Sequence, residues 1–119
     1  MAKVTVDGTT FEVEDNKRLV LALEEHGIDI LHRCGGIASC TTCRVKFRSG
    51  EPTQMTQAER NRLRISGLLG IARLSCQILC QQDMEVEVLM RVSNTEYESA
   101  GQRPQPEITP EPKWINRPY

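Results

Sequence analysis

Five cysteines are the residues with chemistry in this chain, and four of them fall into a pattern. Cys34, Cys40 and Cys43 lie within ten residues at C-x5-C-x2-C spacing, with Gly35 and Gly36 inside the longer gap. Cys76 follows in Arg73-Leu-Ser-Cys-Gln-Ile78, after the 32 intervening residues 44 to 75. Three thiolates from one loop and a fourth from elsewhere make an asymmetric cage for a metal centre. Soft anionic sulfur suits iron bridged by inorganic sulfide. A loop that curls round such a centre turns backbone N–H groups toward sulfur, and Gly35 and Gly36 permit the close approach and unusual φ this needs. Ser39, Thr41 and Thr42 are candidate further donors, and Arg33 and Arg44 bracket the loop.

Other centres fit less of the pattern. A four-cysteine zinc site usually uses two short knuckles. Cys40 and Cys43 with Cys76 and Cys80 could supply one, but that set leaves Cys34-Gly-Gly without a role. A [4Fe–4S] centre wants a C-x2-C-x2-C run, which is missing. A Rieske centre needs two histidines; His32 precedes Cys34, while His26 falls in the first helix, so His32 reads as an exposed loop residue. Cys80 reads as a small buried hydrophobe rather than a ligand.

The elements that must position the cysteines are legible around them. Residues 3–14 alternate as a β-hairpin about Asp7-Gly8-Thr9. Asp15 or Asn16 offers an N-cap to a helix carrying Leu19, Val20 and Leu23 on one face, closed by Gly27. After the cysteine loop, residues 44–48 alternate as a strand. Thr56-Gln-Ala-Glu59 is a capping-box pattern opening a short helix to about Leu63, and Leu68, Leu69 and Ile71 follow as irregular apolar packing. Two strands, 74–79 and 84–89, complete an α+β chain with one mixed sheet. Residues 92–119 carry five of the six prolines and read as an extended or flexible tail, yet they hold all the Trp and Tyr residues, Tyr97, Trp114 and Tyr119. The expected organisation is therefore a folded domain over 1–91 and a proline-rich tail over 92–119.

With 15 basic and 16 acidic residues the charge is balanced, which argues against nucleic acid or a membrane surface as partner. No apolar run is long enough to span a bilayer, and the N-terminus reads as a strand rather than a signal. The expected location is cytoplasmic, where clustered cysteines more often hold metal than form disulfides. No phosphate loop, triad or carboxylate pair is visible, so an electron-transfer protein rather than an enzyme is expected.

The segments Cys34-Gly-Gly-Ile-Ala-Ser-Cys-Thr-Thr-Cys-Arg-Val45 and Arg73-Leu-Ser-Cys-Gln-Ile78 resemble those of [2Fe–2S] ferredoxins. The five-residue first gap resembles the adrenodoxin and putidaredoxin branch. The resemblance, over about residues 2–90, implies a β-grasp fold with a mixed sheet packed on one main helix. It also implies Cys34, Cys40, Cys43 and Cys76 as ligands of a [2Fe–2S] cluster, and one-electron transfer at low potential, on the order of −400 to −200 mV. Partners would be redox proteins, a reductase and an electron acceptor. Two features depart from the branch. Residues 56–73 carry Arg60, Arg62, Arg64 and Arg73 against Glu59 alone, a net +3 where the branch has an acidic docking helix. The long tail is the other. Both point to a partner docked through Arg60, Arg62, Arg64 and the tail. A sensor or assembly role, or a docking subunit of a larger redox complex, is the alternative.

Overall fold

The computed structural model describes residues 1–119. Strands β1 (Ala2–Val6) and β2 (Thr9–Val13) pair antiparallel across a two-residue turn. Asp7 (φ 53°) and Gly8 (φ 80°) are both left-handed, the geometry that matches the twist of a tight hairpin. Then come β3 (Lys17–Arg18), α1 (Leu19–Glu25), the cysteine loop, β4 (Arg44–Ser49), β5 (Gln54–Thr56) and α2 (Gln57–Ile65). The chain continues through β6 (Arg73–Leu74), a 3-10 turn (Ser75–Gln77), β7 (Leu79–Cys80), β8 (Met84–Val88) and, late in the tail, β9 (Trp114–Asn116).

Five strands form the main sheet in the order β2-β1-β8-β4-β6, with β1 and β8 parallel and the other pairs antiparallel. It is the mixed sheet of a β-grasp fold. Val4, Val6, Val45, Met84, Val86 and Val88 turn one face of it into the core. Against that face α1 buries Leu19, Val20, Leu21, Ala22 and Leu23 in an unbroken run. A helix buried all round needs cover on both sides. The Ser75–Gln77 turn packs on α1, and Leu21 lines one cleft with Pro104 and Pro106 of the tail.

Several local expectations are corrected. Neither Asp15 nor Asn16 caps α1: Asn16 turns the chain at φ 68°, Arg18 occupies the N-cap without capping the helix amides through its side chain, and the Leu19 amide donates to the Ile78 carbonyl at 2.8 Å. The residue between the 3-10 turn and β7 thus satisfies what a cap would have satisfied. The expected strand over 74–79 is broken by the 3-10 turn that carries Cys76. Helix α2 does open on Thr56, whose hydroxyl accepts the Glu59 amide at 3.0 Å, but it runs to Ile65. Leu68 and Leu69 pack against the core, whereas Ile71 is 62% exposed.

The proline-rich segment lies along the domain. The Ala100 carbonyl accepts the His32 amide at 2.9 Å, Ile108 is buried, and the Thr109 carbonyl accepts Gln77 Nε2 at 2.9 Å. Further on, β9 pairs antiparallel with β5, setting Trp114 opposite Thr56. Tyr119 donates its hydroxyl to Glu51 at 2.6 Å. The backbone is extended and its bonds run to the domain, because prolines leave few amides for any ladder of its own.

Candidate metal centre

The structure brings Cys34, Cys40, Cys43 and Cys76 to one place between the loop and the 3-10 turn. Their thiols lie in two interacting pairs, Cys34 with Cys40 and Cys43 with Cys76, each close enough to shift the other's titration. No three His, Cys, Asp or Glu side chains converge closely enough to hold one metal ion. Two pairs of sulfurs suit a two-iron rhomb with two thiolates on each iron. Cys43 and Cys76 are buried, while Cys34 and Cys40 are partly open to solvent, so the pocket has an inner and an outer pair.

The loop conformation explains the sulfur environment. Gly35 (φ 74°), Gly36 (φ 82°), Ala38 (φ 59°) and Thr41 (φ 58°) are left-handed, and repeated reversals of this kind aim successive amides at one concavity. The Ile37 and Ser39 amides lie where they favour the Cys34 thiolate, the Ala38 amide where it favours that of Cys76 and the Thr42 amide that of Cys40. The Thr42 hydroxyl lies 3.0 Å from Cys40 Sγ, and Gln77 Nε2 lies 3.7 Å from Cys76 Sγ. The neighbouring Cys40 thiol, helped by these amides and opposed by burial, pulls Cys34 down to about 3. Cys40 is pushed up, chiefly by the same neighbour and by burial, and the Cys43–Cys76 pair divides the same way, Cys76 down and Cys43 up. Each pair thus favours one thiolate and keeps one proton, which a thiolate-ligated centre would displace on binding.

Of the other expected donors, Ser39 helps to lower the Cys34 thiol, but Thr41 does not serve sulfur: its hydroxyl and carbonyl accept from Arg44 at 2.8 and 2.9 Å. Arg33 lies over the Tyr97 ring, 4.8 Å from its centroid. His32 is not an exposed loop residue. It is 2% exposed, with Nε2 paired to Glu24 and Nδ1 unpartnered. His26 stacks on Phe11, so the two histidines do not share a site. Cys80 is fully buried in the core, and burial pushes its thiol up to about 12.

Arg73 is no part of a basic surface. It is buried against Glu59 as a two-point ion pair, Nε to Oε2 at 2.7 Å and Nη2 to Oε1 at 3.1 Å. Glu59 Oε2 also accepts the Leu74 amide at 2.8 Å. The acid of the capping-box pattern therefore fastens the strand leading to Cys76. Arg60, Arg62 and Arg64 stay partly or fully exposed, and Arg62 Nε reaches the Ala38 carbonyl at 3.4 Å, on the rim of the loop.

The residue missed in the sequence is Arg18. It is fully buried, and all its hydrogen bonds go to carbonyl oxygens: Cys76 twice (3.0 and 2.6 Å), Gly36 (2.6 Å), Gln105 (2.8 Å) and Glu107 (3.0 Å). Its one sequence signal is its place beside five consecutive apolar residues, which forces the guanidinium to share their burial or to reach past them.

The family model for the 2Fe-2S iron-sulfur cluster binding domain matches residues 4–81. This chain belongs to that family. Its cofactor is a [2Fe–2S] cluster, which supplies one-electron redox chemistry. Among curated relatives, the chain is 36% identical over 75 residues to a subunit of the Na(+)-translocating NADH-quinone reductase of Shewanella denitrificans, covering 60% of this chain and 17% of that protein. For the corresponding protein of Chlamydia felis the identity is 35% over 88 residues, covering 74% and 20%. The chain thus spans about a fifth of these relatives. Among solved structures, an ISC-like [2Fe–2S] ferredoxin from Pseudomonas putida superposes with a TM-score of 0.63 at 27% identity, covering 75% of this chain and 93% of that one. A chain of the covalent putidaredoxin reductase–putidaredoxin complex gives 0.56 at 31%, covering 76% and 100%.

Proposed function

We propose that Cys34, Cys40, Cys43 and Cys76 hold the cluster, Cys34 and Cys40 on the outer iron and Cys43 and Cys76 on the inner, and that the chain is a low-potential one-electron carrier. The carrying observation is the pairing of these thiols in one pocket whose loop amides face sulfur. Those amides, with the Thr42 hydroxyl and Gln77 amide, offset the cluster's negative charge and tune its potential. The partly exposed Cys34 and Cys40 give electrons their shortest way to a partner.

The partner is a redox protein, a reductase on one side and an acceptor on the other, with an acidic rim around its own cofactor. On α2, Arg60, Arg62 and Arg64 form no ion pair, since Glu59 is spent on Arg73, and Arg62 reaches the Ala38 carbonyl on the rim of the cysteine loop at 3.4 Å. The cysteine chemistry suits the reducing cytoplasm, and no helix of the structure is long and apolar enough to cross a membrane. A second reading is favoured by the relatives that are themselves subunits: the chain serves as the ferredoxin module of a larger redox complex.

Absorption spectroscopy with iron and sulfide analysis tests the centre. Red-brown protein with two iron and two sulfide per chain is expected, lost on changing any one of the four cysteines to serine. Colourless protein carrying zinc would sink the reading. For the docking face, reduction by a partner reductase is expected to slow with salt, and Arg60→Glu with Arg64→Glu to flatten that dependence.

A further inference from the structure

Arg18 poses a charge problem. A buried guanidinium is costly unless a negative group compensates it, and here no carboxylate pairs with it. Carbonyl dipoles satisfy its donors but bring no charge. The acidic side chains whose field reaches it are Cys76, Cys43 and Cys34, which carry charge when they ligate a metal centre. Two of the three segments that hold it, at Gly36 and Cys76, also carry ligands; the third is the stretch Gln105–Glu107 of the tail. Gly36 leaves the room: a Cβ there would come within 2.8 Å of both Arg18 Nη2 and Pro104 Cβ. Downstream of the same stretch, Ile108 is buried and the Thr109 carbonyl binds Gln77.

We infer that Arg18 is the internal counter-cation of the cluster, and that residues 104–109 form a strap whose seating on the domain is coupled, through Arg18, to the cluster's charge. The inference rests on the four-cysteine centre proposed above. A fixed cation beside the ligands favours the more negative, reduced cluster and so raises its potential. Linkage makes the coupling reciprocal: reduction draws Arg18 more firmly to the ligand segments, and the Gln105 and Glu107 carbonyls are held with it. The strap is thus tightest in the electron-bearing state.

The Glu107–Ile108 peptide offers a direct readout, because the carbonyl that a glutamyl endopeptidase must attack is the one Arg18 holds at 3.0 Å. Cleavage after the exposed Glu98 serves as the internal control. In the native, cluster-loaded chain, cleavage after Glu107 is expected to be slower when the cluster is reduced than when it is oxidised, with Glu98 unchanged. Arg18→Gln is expected to lower the midpoint potential by about 59 mV or more, the one-electron equivalent of a tenfold change, and to speed cleavage after Glu107 at least tenfold. Arg18→Lys keeps the charge but not the five-donor fork, so its midpoint is expected to stay nearer the native value while the strap loosens. A cluster-loaded Arg18→Gln protein with an unmoved midpoint would overturn the inference. Equal cleavage of the oxidised and reduced native chain would do so as well, and that comparison stands if neither variant folds. Iron and sulfide content report separately on the centre, so loss of the inference and loss of the centre are distinguishable.

Discussion

Replacing Glu59 with glutamine tests whether the ligand turn hangs on a buried ion pair. The carboxylate is fully buried and holds Arg73 at two points and the Leu74 amide at a third. Glutamine keeps an acceptor for the Leu74 amide but removes the charge. Breaking one side of a buried pair typically costs about 3–5 kcal/mol. Arg73 retains the Glu51 carboxylate at 3.2 Å and the carbonyls of Pro52 and Gln54, both at 3.1 Å. The cost is therefore expected at the low end, about 3 kcal/mol. Unfolding of the loaded protein ends in cluster loss, so the assay is a rate: bleaching of visible absorbance at fixed guanidinium concentration. About 3 kcal/mol corresponds to as much as a roughly 150-fold faster bleach. Arg73→Met alone is expected to be similarly harmful, and Glu59→Gln with Arg73→Met milder than the sum of the two by about 2 kcal/mol, since the double variant strands no charge. A single-variant effect below about fivefold, or additive singles, would refute the argument.

Cys80→Ala is expected to keep full cluster content and an unchanged visible spectrum, at about 1 kcal/mol of stability. The native Cys80 thiol is expected to resist iodoacetamide up to strongly alkaline pH, judged by mass spectrometry. Its folded pKa is raised to about 12, so the stability from burying it neutral is complete below about pH 9 and lost between there and about pH 12. Gly50→Ala and Gly27→Ala contrast two left-handed glycines. At Gly50 (φ +74°) a Cβ would lie 2.1 Å from the Asp83 carbonyl oxygen, whereas at Gly27 (φ +85°) it meets nothing within 4 Å. Denaturant melts are expected to show losses of about 3 kcal/mol or more for the first and about 1 for the second, and equal losses would remove the steric argument.

Alternating apolar residues are enough to place the hairpin, β4 and β8, because each has one buried face and so a period of two. The cysteine segments are enough to show the resemblance to [2Fe–2S] ferredoxins, the family to which the chain belongs. What stays hidden depends on partners distant in the chain. The span 74–79 looks like one strand, yet Cys76 must turn toward the loop, and a 3-10 turn breaks the ladder there. Glu59 and Arg73 read as surface charges because nothing local shows two ions burying each other. His32 looks solvent-facing because Glu24, its partner, lies on the preceding helix. The tail reads as loose because proline composition reports what a segment cannot do alone, not which carbonyls a neighbour will claim. Arg18, with bonds to residues 36, 76, 105 and 107, is the extreme case.

The parallel pairing of β1 with β8 sets a schedule. Val4 lies beside Met84, so the middle of the sheet cannot close until almost the whole domain has left the ribosome. All four cysteines proposed as ligands emerge before that moment, as thiols on a chain whose core is still open. Non-local pairing of this kind folds slowly. A growing chain therefore exposes its metal-binding sulfurs for longer than it exposes its finished fold, and any delivery of iron during synthesis would meet the loop before it meets the sheet.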